Sequence, residues 1–465
     1  MTRIDRDRAV VLGGSIAGLL AARVLADQYA EVVVVDRDHL GPQAGHHRGV
    51  PQARHLHGLL ARGQELLEEL VPGLTAELVA AGAPIGDMLD NARICLGGHR
   101  FRRAPSGLTA LCVSRPTLEA AVRRRVLALP HMRLLGGHDV VGLIGDGRRV
   151  RGARVIGRAD GSADEELPAD LVVDATGRGS RLPIWLESLG HPRPPQERVA
   201  IGVGYASRRY RLTPDALGDD LVAISAPSPQ HRRGAGLAMI EGGVCLVTLM
   251  GILGDHPPTD PERYAGFAAD LALQDIPQAL QDAEPLDAPV AYHYPTSIRR
   301  RYDRLTRFPD GLAVLGDAVC TLNPIYGQGI TVAALEAVTL RRHLATGRAL
   351  RPRVYLRDIG RIAGVAWAMS LGADLSFPEV EGPRTPASRL FGRYVARLQA
   401  GAAHDPRLGR AFLRVVSMVD PPAALFRPSV LVPAMTRHRT LAPATACEPR
   451  TTGPAITEFD REPDA

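Results

Sequence analysis

The chain has 465 residues, of which 45% are apolar, 23% charged and 4% aromatic, a globular profile that excludes disordered and collagenous classes. All 56 basic residues are arginine, which excludes chemistry that needs a lysine, such as a Schiff base, a pyridoxal lysine or a Walker-A phosphate grip. The net charge of +6 comes from arginines scattered among 50 acids, with no zinc-finger spacing or RNP-like aromatic motif, so it reads as solvated surface and no nucleic-acid partner is expected.

The length allows two or three domains. The opening run, residues 1–26, imitates a secretion signal, but glycines at functional spacing interrupt it. Residues 8–12 predict a strand, 16–26 a helix rich in Ala and Leu, and 31–36 a second strand closed by Asp36, together one βαβ unit. A loop rich in Gly, Pro and Arg follows over 41–56. Helices are predicted over 59–70 and 118–129, the second with Leu118, Ala121, Val122 and Val126 in helical register. Short strands follow at 140–144, 150–156 and 171–173, the first two flanking the hairpin signal Gly145-Asp146-Gly147.

From about 185 to 300 short strands recur at 199–205, 221–225, 236–240 and 244–250, broken by Pro and Gly. The stretch 235–254 approaches membrane length, but Glu241 and Gly242-Gly243 at its centre read as a turn between two strands, so no membrane span is expected. A buried strand at 312–315 and a helix at 331–345 resume the first domain. Residues 355–440 are largely helical with breaks at Pro378 and Pro421, and 441–465 compose a tail expected to be disordered. Five cysteines (Cys95, Cys112, Cys245, Cys320, Cys447) without a CxxC pair are expected to be free thiols in a reducing cytoplasm.

The strongest local motif is Gly13-Gly14-Ser15-Ile16-Ala17-Gly18, set between a strand and a helix. Gly13 allows a tight turn, Gly18 allows close helix–strand packing, and the helix amino end offers N–H groups to a pyrophosphate. Ser15 stands where the usual GxGxxG pattern has its middle glycine. Asp36, 23 residues after Gly13 and followed by Arg37, can accept from ribose hydroxyls. Three later segments narrow the ligand: Arg48-Gly49-Val50-Pro51-Gln52; Ser114-Arg115-Pro116 at a helix start; and Gly316-Asp317-Ala318 followed by Asn323-Pro324-Ile325-Tyr326-Gly327-Gln328-Gly329-Ile330.

In these motifs, over about residues 1–345, the chain resembles the single-component flavoprotein monooxygenases of the para-hydroxybenzoate hydroxylase fold. The resemblance implies an α/β (α+β) architecture. A discontinuous Rossmann-like FAD-binding domain would span 1–184 and 301–350, an inserted mainly β substrate domain 185–300, and C-terminal helices 351–440. It implies that Gly316 and Asp317 hold the FAD ribityl chain, that Pro324, Gly327, Gln328, Gly329 and Ile330 line the isoalloxazine, and that Arg48 and Arg115 serve pyrophosphate and ribityl. Val140 would touch adenine. Asp174 reads as strand-end structure or as a residue near the cofactor, and Tyr326, a candidate for the substrate side with Asn323, reads as packing or as a substrate or flavin contact.

The segments 48–55 and 174–180 look like the actinobacterial polyether polyketide epoxidases of the monensin and lasalocid type. The implied reaction is epoxidation or hydroxylation of a hydrophobic polyketide, free or carrier-bound, by O₂ through a flavin C4a-hydroperoxide. Gly177 follows Asp174 by three residues, unlike the Asp-Gly motif of the aromatic hydroxylases, so reducing power is expected from NAD(P)H or a separate flavin reductase. Two alternatives share the early motifs: a reductase of isoprenoid double bonds and a cyclase that keeps FAD as a structural part. The halogenase branch uses a Lys and a Trp-x-Trp-x-Ile-Pro motif, which this sequence lacks. His55-Leu56-His57 offers only two imidazoles with no further metal-ligand motif, and a loop contact is expected. Cys320, close to Asn323, is expected to be a packed core residue.

Overall fold

Ala9-Val10-Val11-Leu12 and the four valines Val32–Val35 present no polar face, so strands made from them must be covered on both sides. The computed structural model, which describes residues 6–41, 51–159 and 161–436, buries them in this way. β1 (Arg8–Leu12) and β2 (Glu31–Val35) lie at the centre of a five-stranded parallel sheet. Its order is Leu312–Val314, Leu171–Asp174, β1, β2, Met132–Leu135. α1 (Ile16–Ala26) packs against the helix Gly329–Leu344, which also meets Ala61–Leu70 and Pro352–Asp374. The predicted hairpin at 140–156 is present as His138–Gly145 and Val150–Gly157, extended by a third antiparallel strand, Asp164–Pro168.

The second large unit is a nine-stranded sheet. Its longest strand, Gln196–Arg211, pairs with Val244–Gly251 on one side and Val290–Arg300 on the other. Arg233–Ile240 and Val244–Gly251 form the hairpin expected at 235–254, turning at Gly242 (φ +75°) and Gly243 (φ +66°), a conformation glycine adopts without steric cost. The sheet is not confined to 185–300. Ala92–Leu96 joins it parallel to Val222–Ser225, and Cys320–Thr321 joins it beside Val290–Arg300. Two helices absent from the sequence reading, Pro261–Ala269 and Asp275–Leu280, cover a core of Tyr264, Phe267, Ile276 and Leu249.

The C-terminal part is helical, as expected: Pro352–Asp374, Pro386–Ala402, Pro406–Val416 and Pro428–Thr436, with Pro378 and Pro421 between helices. Thr385 and Asp405 cap two of them through their side chains, each followed by a proline whose missing N–H is an orphan donor in any case. Among the described residues no helix is long and apolar enough to cross a membrane. Cys112, Cys245 and Cys320 are free and buried. Cys95 is disulfide-bonded, which corrects the expectation of five free thiols; proximity in the fold, not spacing in the sequence, sets such a bond. The tail expected at 441–465 lies outside the described residues.

Candidate functional site

Gly13 leaves β1 with φ +102°. A β-carbon there would meet the Ala175 carbonyl oxygen at 2.5 Å, and one on Gly18 would meet the Gly13 carbonyl oxygen at 1.8 Å. Both glycines are therefore required by close backbone approach. Beyond the turn, at the amino end of α1, the Ile16 and Ala17 N–H groups have no intrahelical partner and the helix carries partial positive charge. Ser15, at the N-cap, does not cap the helix with its side chain. Its hydroxyl donates to Glu119 at 2.9 Å and accepts from Arg115 Nη2 at 3.2 Å. Glu119 is buried between Arg115 and Arg123 on the helix Arg115–Leu127. The departure from the usual glycine thus ties the phosphate loop to a second helix.

Asp36 closes β2 as expected and is buried. Its Oδ2 accepts from Gly14 N–H at 2.6 Å and its Oδ1 from Asp38 N–H at 2.8 Å, so it also fixes the glycine loop. Arg37 is exposed beside it. Val140, half-buried, sits two residues beyond His138, whose N–H bonds the Asp36 carbonyl at 3.0 Å. Arg48, Gly49 and Val50 lie outside the described residues.

The second motif meets the first directly. Gly316 has φ +69°, and a β-carbon on it would stand 2.8 Å from the Ala17 methyl. Asp317 is half-buried, and its carboxylate makes no hydrogen bond among the described residues. Burial raises its pKa, while Arg115, Arg178 and Arg300 pull it back. A β-carbon on Gly329 would lie 4.0 Å from Asp317 Oδ1, so that oxygen stands at the amino end of the helix Gly329–Leu344. Buried Arg300 holds this turn. It donates to the carbonyls of Asp317 (3.3 Å) and Ala318 (3.0 Å), and to the carbonyl of Arg178 (2.8 Å) in the neighbouring turn.

Asp174 pairs beside Leu12 at the end of its strand and is fully buried. It accepts from Thr176 N–H (3.0 Å), Thr176 Oγ1 (2.6 Å) and Ser180 Oγ (2.5 Å). Its carboxylate shapes the 174–180 turn and is not presented to a ligand. Burial raises its pKa against these hydrogen bonds.

The loop 323–330 is anchored from a distance. Asn323 accepts from Ile325 N–H at 3.1 Å and donates through Nδ2 to Asp374 Oδ1 at 2.8 Å. The Tyr326 hydroxyl donates to the same oxygen at 2.8 Å. Burial pushes the Asp374 carboxyl up to about 6, opposed by these two donors. Gly327 turns at φ +65°, Pro324 is half-buried and Ile330 buried. Gln328 is buried and its Oε1 has no partner. Tyr205 and Tyr292, paired across two strands of the large sheet, flank His55 at ring-centroid distances of 5.8 and 5.5 Å. His55 Nδ1 is 2.7 Å from Ser207 Oγ, and burial, then Arg54, push its pKa down to about 4, so the ring is neutral. Cys320 is packed as expected.

Sequence reasoning missed Glu119, Arg300, Glu336 and Asp374. Only Glu336 had a local signal, as a lone acid in the apolar helical run Ile330–Leu340. The donor set fits FAD. Two helix amino ends and Arg115 suit phosphate and carbonyl oxygens, the unspent Asp317 carboxylate suits hydroxyls, and the glycines leave room for close approach.

Comparison with known proteins agrees. Residues 7–349 match the family model described as FAD binding domain. Protein Rv3254 of Mycobacterium tuberculosis is 37% identical over 89% of this chain and 90% of its own. The 6-methylpretetramide 4-monooxygenase of Streptomyces rimosus is 27% identical over 72% of this chain and 75% of its own. The solved structure of the flavin-dependent brominase Bmp2 superposes with a TM-score of 0.66 at 17% identity, covering 93% of this chain and 98% of that one, a likeness of fold. With the two glycine loops joined over Arg115 and Asp317, the chain belongs to the FAD-binding-domain family.

Proposed function

We propose that the protein epoxidises or hydroxylates a hydrophobic natural-product intermediate, a polyketide by preference, free or carrier-bound. The observation that carries this reading is the direct contact of the Gly13–Ala17 and Gly316–Asp317 loops, continued by the Asn323–Ile330 loop toward Tyr205 and Tyr292. Bound FAD, reduced by NAD(P)H or by a separate flavin reductase, supplies the electrons that activate O₂ for oxygen insertion. The chain's own part is binding and positioning. The first turn of α1 and Arg115 bind the pyrophosphate side, Asp317 accepts from ribityl hydroxyls, and the first N–H groups of Gly329–Leu344 face an electron-rich carbonyl edge. Asp374 fixes Tyr326 and Asn323 so that the substrate side of the loop keeps one geometry. Neutral His55 with Tyr205 and Tyr292 forms a ring cluster, Tyr205 being the member that acts on Tyr326, and its part in this reading is to keep water from the substrate.

Support for a polyketide comes from the likeness of 48–55 and 174–180 to polyether epoxidases, and for oxygen insertion from the monooxygenase relative. The test is incubation of the purified protein with FAD, a reductant, ¹⁸O₂ and candidate polyketide alkenes and phenols. The expected product carries one ¹⁸O atom by mass spectrometry. A saturated product without label would make the protein a reductase, and a ring-closed isomer formed without reductant would make it a cyclase.

A further inference from the structure

The parallel sheet has a second end. At the amino ends of its strands, away from the glycine loops, a cavity of about 730 Å³ opens beside the start of the helix Pro352–Asp374. That volume is in the range of sites for small organic ligands. Its floor is apolar, from Leu171, Leu305, Phe308, Leu350 and Leu356. Its rim carries Arg149, Arg351, Arg353 and Arg357, and none of these four guanidinium groups makes a hydrogen bond or ion pair among the described residues.

The acids around the cavity are mostly committed elsewhere. Asp170 Oδ2 accepts from the Asp7 and Arg8 N–H groups at 3.0 and 3.2 Å. Asp303 is held by Arg301 at 2.9 and 2.8 Å. Among the described lining residues five arginines face three aspartates, Asp170, Asp303 and Asp310, an excess of two positive charges. Tyr29 adds a phenol whose pKa burial pushes up to about 12, so it remains a donor. The fifth lining arginine, Arg6, is spent on Gln28 and on the Leu344 and Arg348 carbonyls. A smaller hollow of about 420 Å³ continues the surface past Arg149 and Asp170. The unspent hydrogen-bonding capacity of the cavity, among the described residues, is therefore mainly donor, with a net positive charge above an apolar floor.

We infer that this cavity binds a small organic anion, with phosphate or carboxylate groups on an apolar body, at a site separate from the flavin site. β1 has five residues, so at roughly 3.3 Å per residue the ligand lies about 15 Å from the glycine loops and takes no direct part in flavin chemistry. Its effect is on the stability of the fold that carries the flavin.

The test uses FAD-loaded protein, so that the cradle is filled, and titrates it by calorimetry with ATP, decanoate and inorganic pyrophosphate. ATP or decanoate is expected to saturate in the micromolar to millimolar range, whichever binds naming the phosphate or the carboxylate, with pyrophosphate weaker because it lacks the apolar body. R351E/R353E is expected to weaken binding about tenfold or more while the flavin absorbance stays unchanged. Acids at a helix amino end are compatible with the fold. No saturation by either organic anion at millimolar concentration, equal affinity in the variant, or pyrophosphate binding as tightly as ATP and decanoate would overturn the assignment. None of these outcomes depends on the oxygenation reading.

Discussion

Glu336 is fully buried in the helix Gly329–Leu344. One carboxyl oxygen accepts from Gly316 N–H at 2.5 Å and the other has no partner. Burial pushes its pKa up to about 8, against the Gly316 hydrogen bond and with a contribution from Asp317. The folded protein thus holds a proton that the unfolded chain releases above the ordinary carboxylate range. Stability from this group is full below about 4.5, falls as pH rises, and levels off above about 8. Glu336→Gln keeps the acceptor for Gly316 and removes the charge, so it is expected to flatten that slope and to gain about 1–3 kcal/mol at pH 8. Thermal melts of both proteins across pH 5 to 8 check this. Asp374 gives a second pH signature. Above about 6 it is charged and holds both Tyr326 and Asn323; below that it is neutral and a weaker acceptor. Asp374→Asn is expected to lose the acid limb of the kcat profile near pH 6 and about tenfold of kcat, read from oxygenation rates as a function of pH.

Arg300 acts between elements. Its guanidinium satisfies carbonyls of two turns, 177–179 and 316–318, neither of which is a regular helix long enough to satisfy its own. Arg300→Met keeps the stem and leaves those carbonyls unpaired, and a loss of about 2–4 kcal/mol is expected, with faster release of FAD. Denaturant melts and flavin fluorescence measure the two effects. The contrast between local and distant partners also explains what the sequence revealed. β1, α1, β2 and the 235–254 hairpin were legible because period, β-branched runs and obligatory glycines are local signals. The helix Pro261–Ala269 was overlooked although Asp260, whose side chain accepts from Arg263 N–H at 3.0 Å, and Pro261 mark its start. Ala92–Leu96 was invisible because its partner, Val222–Ser225, is more than a hundred residues away. Asp374 was invisible for the same reason, since Asn323 and Tyr326 reach it only through the packing of two helices.

At the scale of the whole molecule, the hairpin turn of the large sheet is fastened to the flavin fold. Glu241 accepts from Ser114 N–H at 2.9 Å, from the Ser114 hydroxyl and from Thr117 Oγ1 at 2.6 Å, at the amino end of the helix whose Arg115 reaches Ser15. Burial raises the Glu241 pKa, but these donors more than offset it and leave the carboxyl below its usual range. Glu241→Ala is expected to weaken FAD binding about tenfold although the residue belongs to the sheet; titration of apoprotein with FAD measures this. Cys320–Thr321 and Ala92–Leu96 cross the same boundary as strands of that sheet. Among the described residues the seam is therefore closed by strand ladders as well as by a carboxylate. A substitution in the hairpin turn is thereby felt at the glycine loop through Glu241, Ser114 and Arg115, so any change that reshapes one unit also retunes the grip of the other.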